Sequence, residues 1–245
     1  MNISPKLDRV GEPARVSVVL PTFNESANIK TIIAAIHAAL GGTRHYEIIV
    51  VDDDSPDGTW QLVDEISSKD RRVQCVRRID KKGLASAIID GLSLGKGDAL
   101  VVMDADLQHD PSLLPAMIAS LDNSDITIAS RYVEGGTTGS WGGIRLWGSR
   151  TVTMLSRHIL GIKATDPLSG FFAIRRELFQ AMAADLRPRG FKALLDILVH
   201  APGAIVHEIP LRFGERHGGK SKLGISTVFD LCCSLIELRT GHILR

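Results

Sequence analysis

The chain has 245 residues, 44% of them apolar and 23% charged, and its 29 lysines and arginines nearly balance 28 aspartates and glutamates. That composition excludes a disordered or fibrous chain. A formal net charge of +1 gives no overall field to gather nucleic acid, so no nucleic-acid partner is expected.

The apolar, β-branched run Val16 to Leu20 is followed by the turn-prone PTFNES and then by Ile29, Ile32, Ile33, Ile36 and Leu40 at helical spacing. This predicts strand, loop and helix, with Asn24 or Ser26 as the cap and Gly41 as the stop. The unit repeats in kind: a strand at 47–51, a helix from about Asp57 to Lys69, a strand at 73–76, a helix from Gly83 to Leu94, and a strand at 99–103. Continuous apolar strands alternating with amphipathic helices predict an α/β fold, a mainly parallel, Rossmann-like sheet with helices on both faces. Ligands of such sheets bind beyond the carboxyl ends of the strands.

After DITIAS at 125–130 the rhythm breaks into the Gly-rich EGGTTGSWGG, then a helical stretch from about Ile144 to Leu160. RFGERHGGKSK at 212–222 reads as a mobile basic loop, since adjacent glycines sit among like charges. No linker divides the chain, and a single domain over 1–245 is expected. Cys75, Cys232 and Cys233 form no CxxC or Cys/His cluster, so neither a disulfide framework nor a zinc site has its ligands, and a reducing setting fits. No run of about 18 apolar residues is present to span a bilayer.

The strongest chemical signal is MDADLQHDP. Asp104 and Asp106 follow directly on a buried strand, where carboxylates are costly without a counter-charge. Two carboxylates flanking one residue can direct oxygens at a hard cation, Gln108 can add an amide oxygen, and such a site leaves room for diphosphate. The competing reading is a turn whose aspartates only cap the next helix, and Asp110, before Pro111, fits that cap. In VVDDDSPDGT, Asp52, Asp53 and Asp54 crowd another strand end. There Asp57 suits a helix cap and Asp54 its own turn, leaving a carboxylate for a ribose or base edge.

Other nucleotide and hydrolase signatures fail: GLSLGKGD is no P-loop, no GxGxxG follows the first strand, HEIP lacks the second histidine of a zinc protease, and no GxSxG is present. His207 therefore reads as a strand residue. Arg131, Arg145, Arg216 and Lys222 fall in or beside predicted loops. Singly, each reads as a solvated charge; together they could hold two anions side by side.

The ordered set PTFNE, VVDDDSPDGT, KKGLASAIIDGL, MDADLQHDP, SRY, DPLSGFFAIRRE and RHGGKSK resembles the polyprenol-phosphate mannose synthases of glycosyltransferase family two, over about Val16 to Leu223. The resemblance implies a glycosyltransferase A fold and metal-dependent, inverting transfer of mannose from GDP-mannose to a polyprenyl, dolichyl-type monophosphate. It implies that Pro21, Phe23, Glu25, Val51 and Asp53 contact the nucleoside, with Ala105 near the nucleotide, and that Asp104, Asp106 and Gln108 hold Mg²⁺ or Mn²⁺. Arg131, Arg145 and Ser149 would receive the lipid phosphate, and Arg216 and Lys222 would close over the donor phosphates. Asp166 falls where other family-two enzymes place a base, and its role stays open.

The same lipid acceptor with a UDP-sugar donor such as UDP-glucose is the alternative; a non-catalytic sugar-nucleotide-binding protein is a reading from another class. The resemblance also implies work at the cytoplasmic face of a membrane, served by an anchoring subunit or by a C-terminal membrane region. The last twenty residues could form an amphipathic interfacial helix over 226–245, or equally a helix packed on the core or on a subunit.

Overall fold

A computed structural model describes residues 15–41, 45–139, 154, 157, 160–186 and 193–214. The strands are β1 (Val16–Thr22), β2 (Tyr46–Asp52), β3 (Val73–Arg77), β4 (Ala99–Val102), β5 (Ile126–Ser130), β6 (Phe172–Arg175) and β7 (Val206–Pro210). They form one sheet in the order β3-β2-β1-β4-β6-β5-β7. Only β6 runs antiparallel to its neighbours, so the other six described strands end at one edge and β6 begins there.

Alternation along the strands sends side chains to two cores. On one face Val16, Val18 and Leu20 meet Ile32 and Ile36 of α1 (Ile29–Leu40), Val63 of α2 (Thr59–Lys69) and Met117 of α4 (Leu114–Ser120). On the other, Val19, Ile49 and Val102 meet Ile88 of α3 (Leu84–Leu94), Phe179 of α5 (Arg176–Met182) and Ile197 of α6 (Ala193–His200). The predicted two-sided coverage is what folds. Gly91 lets α3 lie close on this face, for a Cβ there would overlap the Val19 side chain.

The elements predicted up to residue 130 are present, shifted by a residue or two at their ends. Neither Asn24 nor Ser26 caps α1, which starts at Ile29. Asn24 takes a left-handed φ of 62°, and the amides of Asn24, Glu25 and Ser26 donate to Ser55 Oγ, Thr59 Oγ1 and Asp57 Oδ2 at 2.9–3.0 Å. The loop after β1 is thus tied to the loop after β2. His207 lies in β7 as predicted. Of the helix expected near 144–160, Met154, Arg157 and Leu160 are described, and they are helical.

Candidate active site

The ends of β1 and β2 form the first wall. Thr22 and Asp52 are register partners, and the buried Asp52 accepts bonds from Thr22 Oγ1 (2.8 Å), Ser55 N (2.8 Å) and Ser55 Oγ (2.6 Å). Asp52, rather than Asp54, therefore ties its own turn. Asp54, at φ 58°, pairs instead with Arg77 at 2.6 Å, whose guanidinium lies 3.9 Å over the Trp60 ring. The cap of α2 is Gly58 rather than Asp57, which stands one residue earlier and accepts from Thr59 N at 3.0 Å and Thr59 Oγ1 at 2.6 Å. Burial pushes its carboxyl up, but the bonds from Thr59 and Ser26 outweigh this and hold it below its ordinary range.

Asp53 is buried and faces the buried Arg78. Arg78 Nε donates to Asp53 Oδ1 at 2.7 Å, Arg78 Nη2 reaches the same oxygen, and Gly83 N donates to Oδ2 at 2.7 Å. Of the other residues expected at the nucleoside, Pro21 and Val51 are buried, Val51 wholly within the second core, while Phe23 and Glu25 are half-buried on the loop after β1. Lys82 Nζ lies 5.9 Å from the Phe23 ring centre.

The acidic turn beyond β4 is the second wall. Leu107 takes a left-handed φ of 64°, an uncommon conformation for a branched side chain, and this folds Gln108 N back onto Asp106 Oδ1 at 3.1 Å. Asp104 N donates to His109 Nδ1 at 3.1 Å, so the imidazole proton sits on Nε2, which lies 3.9 Å from Asp104 Oδ2. His109 is buried, stacked on Phe171 at 5.2 Å with Phe213 edge-on at 5.6 Å. Burial drives its pKa down to about 4 against the nearby Asp106, keeping the ring neutral near pH 7. The Asp104 carboxylate packs on Gly170, where a Cβ would lie 2.7 Å from Oδ2. Asp110 caps the following turn through Ser112 N at 2.9 Å, as predicted.

Gln108 also fastens this turn to the root of the basic segment: Nε2 donates to Gly214 O at 3.2 Å and Gly214 N returns to Gln108 O at 3.0 Å. Residues 211–213 are in turn joined to Thr137 by Thr137 N to Leu211 O at 2.9 Å and Phe213 N to Thr137 O at 3.1 Å.

Arg131, directly after β5, is the third wall. Its backbone N, Nε and Nη2 donate to Asp166 at 3.0, 2.8 and 2.7 Å, and the Asp166 carboxylate is wholly buried. Burial would lower the Arg131 pKa, but the bonds and charge of Asp166, with Tyr132 and Asp104 adding, raise it, so the guanidinium stays charged. Asp166, whose role the sequence leaves open, orients Arg131.

These residues fit a hard divalent cation. Two carboxylates and one amide on a single turn offer the hard oxygen ligands that Mg²⁺ or Mn²⁺ accepts. Among the described residues no three His, Cys, Asp or Glu gather closely enough to enclose an ion alone, so water and substrate oxygens would complete the shell. Arg145, Ser149, Arg216 and Lys222 lie outside the described residues, as do 215–222 of the loop expected at 212–222 and all of 226–245. Sequence reasoning missed Arg78 and Gly170 as parts of the site. His109 stands within the motif it did single out.

A model described as glycosyl transferase family 2 matches residues 17–182. The chain is 46% identical over 221 residues to a dolichol-phosphate mannosyltransferase of Pyrococcus furiosus, covering 88% of this chain but 61% of that protein. It thus spans less than two thirds of that relative. It is 37% identical over 231 residues to a polyprenol monophosphomannose synthase of Mycolicibacterium smegmatis, covering 91% of this chain and 86% of the relative. The fold matches a crystal structure of glucosyl-3-phosphoglycerate synthase from Mycobacterium tuberculosis in complex with Mn²⁺, UDP-glucose and glycerol 3-phosphate. The TM-score is 0.66 at 20% identity, covering 94% of this chain and 80% of that one.

Proposed function

The chain belongs to glycosyl transferase family 2 and has the glycosyltransferase A fold, and from that premise we propose that it transfers mannose from GDP-mannose to a polyprenyl monophosphate. One observation carries the reading: β6 alone separates the acidic turn after β4 from Arg131 after β5. With neighbouring strands just under 5 Å apart, the two stand about 10 Å from each other along the sheet edge. A donor diphosphate on the acidic turn and an acceptor phosphate at Arg131 would leave the sugar between them.

In the reaction, an acceptor phosphate oxygen forms a bond to the anomeric carbon while the bond from that carbon to the GDP oxygen breaks, inverting the configuration. The acceptor phosphate is already an anion near neutral pH, so no side chain has to remove a proton. Catalysis then rests on positioning and charge. Asp104, Asp106 and Gln108 would hold Mg²⁺ or Mn²⁺, which when bound supplies charge to the departing diphosphate. Arg131, with Arg145 and Ser149, binds the acceptor phosphate; Arg216 and Lys222 contact the donor phosphates; Pro21, Phe23, Glu25, Val51, Asp53 and Ala105 line the nucleotide side. With a lipid acceptor the enzyme would work at a membrane surface, and the proposal sets it on the cytoplasmic face. Among the described residues no helix is long and apolar enough to cross a membrane.

The test is to incubate purified protein with Mg²⁺, a short polyprenyl phosphate and radiolabelled GDP- and UDP-sugars, then extract the lipid. GDP-mannose is expected to label it with a β-linked mannose. Label arriving only from a UDP-sugar overturns the donor, and no labelled lipid from any donor overturns the activity.

A further inference from the structure

Glu208 lies in β7, at the register position opposite Ile128 of β5, and is half-buried. Its carboxylate collects three hydrogen bonds from one two-residue segment. Thr165 N donates to Oε2 at 2.7 Å, Thr165 Oγ1 to Oε1 at 2.7 Å, and Asp166 N to Oε1 at 3.1 Å. A carboxylate withdrawn from water needs compensation, and backbone and hydroxyl donors supply it here. The segment so held carries Asp166, whose two oxygens fix the backbone and guanidinium of Arg131. Thr165 Oγ1 lies 3.0 Å from Ser130 Oγ, which accepts from Tyr132 N at 3.3 Å, so both residues beside Arg131 belong to the same network.

We propose that Glu208 is a positioning residue for the acceptor phosphate: through Thr165 and the Asp166 amide it sets the carboxylate that aims the Arg131 fork. This rests on the reading of Arg131 as an acceptor-phosphate ligand. Bidentate recognition of a phosphate depends on guanidinium orientation, so a slack Asp166 costs acceptor binding before it costs chemistry. Glu208 touches neither substrate.

The experiment compares the whole protein with Glu208→Gln, which keeps the shape but sets an NH₂ group against one of the donors. The expected result is an acceptor KM raised about tenfold, with kcat and the sugar-nucleotide KM within about twofold. Combining Glu208→Gln with Asp166→Asn should add little to Asp166→Asn alone, because both act through one carboxylate. Effects that add in full, or a fall in kcat and both substrate affinities together with melting temperature, would overturn positioning in favour of a general structural role.

A second readout needs no turnover: the ¹⁵N–¹H resonance of Arg131 Nε, assigned by its loss in Arg131→Lys. Faster exchange of that proton with water in Glu208→Gln supports the proposal, and unchanged exchange refutes it. If the unaltered protein labels no lipid yet this proton loses protection, the acceptor reading fails while the mechanical link from Glu208 to Arg131 stands.

Discussion

The Arg78 guanidinium closes on Asp53 with Nε to Oδ1 at 2.7 Å, and the two side chains are only 5% and 10% exposed. The same guanidinium reaches Ser86 Oγ at 2.9 Å, Asp90 Oδ2 at 3.0 Å and Gly83 O at 3.0 Å. One cation therefore staples the loop after β3 and the start of α3 to the end of β2. Removing it leaves the buried Asp53 carboxylate with, among the described residues, the Gly83 amide alone as its donor, a loss of about 3 kcal/mol or more where such pairs are broken.

Arg78→Met is accordingly expected to lower stability in urea denaturation by about that amount. Arg78→Lys, which keeps the charge but not the fork, should lose less stability and still weaken GDP binding in calorimetry. Wild-type GDP affinity in both variants would show that Asp53 does not depend on Arg78 for its place at the nucleotide.

Asp106 lies on the turn proposed to hold the ion and accepts from Gln108 N. A ligand that binds the folded state raises the melting temperature, so Mn²⁺ with GDP should stabilise the protein. Asp106→Ala should abolish lipid labelling and also this thermal shift, while its melting temperature without ligand changes little. A shift equal to wild type would remove Asp106 from the metal site.

The first four strands and the three helices between them were legible because continuous apolar runs and helical periodicity are local signals. So was Asp110, whose cap needs only the next two residues. Which of Asp52, Asp53 and Asp54 turns which way was not legible. Their partners Thr22, Arg78 and Arg77 are 23 to 30 residues distant, and three adjacent acids look alike in sequence. The run Phe172–Arg175 has strand character, but nothing within it says that β6 runs against its neighbours. The Arg131–Asp166 pair spans 35 residues, so an arginine that reads as a lone surface cation is in fact aimed by a buried acid.

Gly170 makes room for the Asp104 carboxylate. A Cβ at this position would lie 2.7 Å from Oδ2, closer than such atoms approach, and a tight 3.2 Å from Oδ1. The end of a side chain can yield, so Gly170→Ala should fold but displace Asp104. The expected outcome is a higher Mn²⁺ concentration for half-maximal turnover, with GDP affinity in the absence of metal unchanged. An unaltered metal requirement would mean that Asp104 does not hold the ion from this position.

Away from the site, Asp70 joins the end of α2 to β3 through Arg72, with Nη2 to Oδ2 at 2.6 Å and Nε to Oδ1 at 2.9 Å. The hydrogen bonds from the Arg72 side chain, opposed by burial, bring the Asp70 carboxyl down to about 2 from an ordinary 3.8. With the folded value below the unfolded one, its stabilisation is complete above pH 3.8 and is lost as pH falls through 3.8 towards 2. Asp70→Asn should therefore melt below wild type at pH 7, by a gap that holds down to about pH 4 and closes by about pH 2. Arg72 is 50% exposed, so added salt should narrow the gap as well. Melting curves of both proteins across that range decide it, since the other carboxylates titrate alike in each. A gap that persists undiminished at pH 2 would mean that the lost contact is not an ionic one.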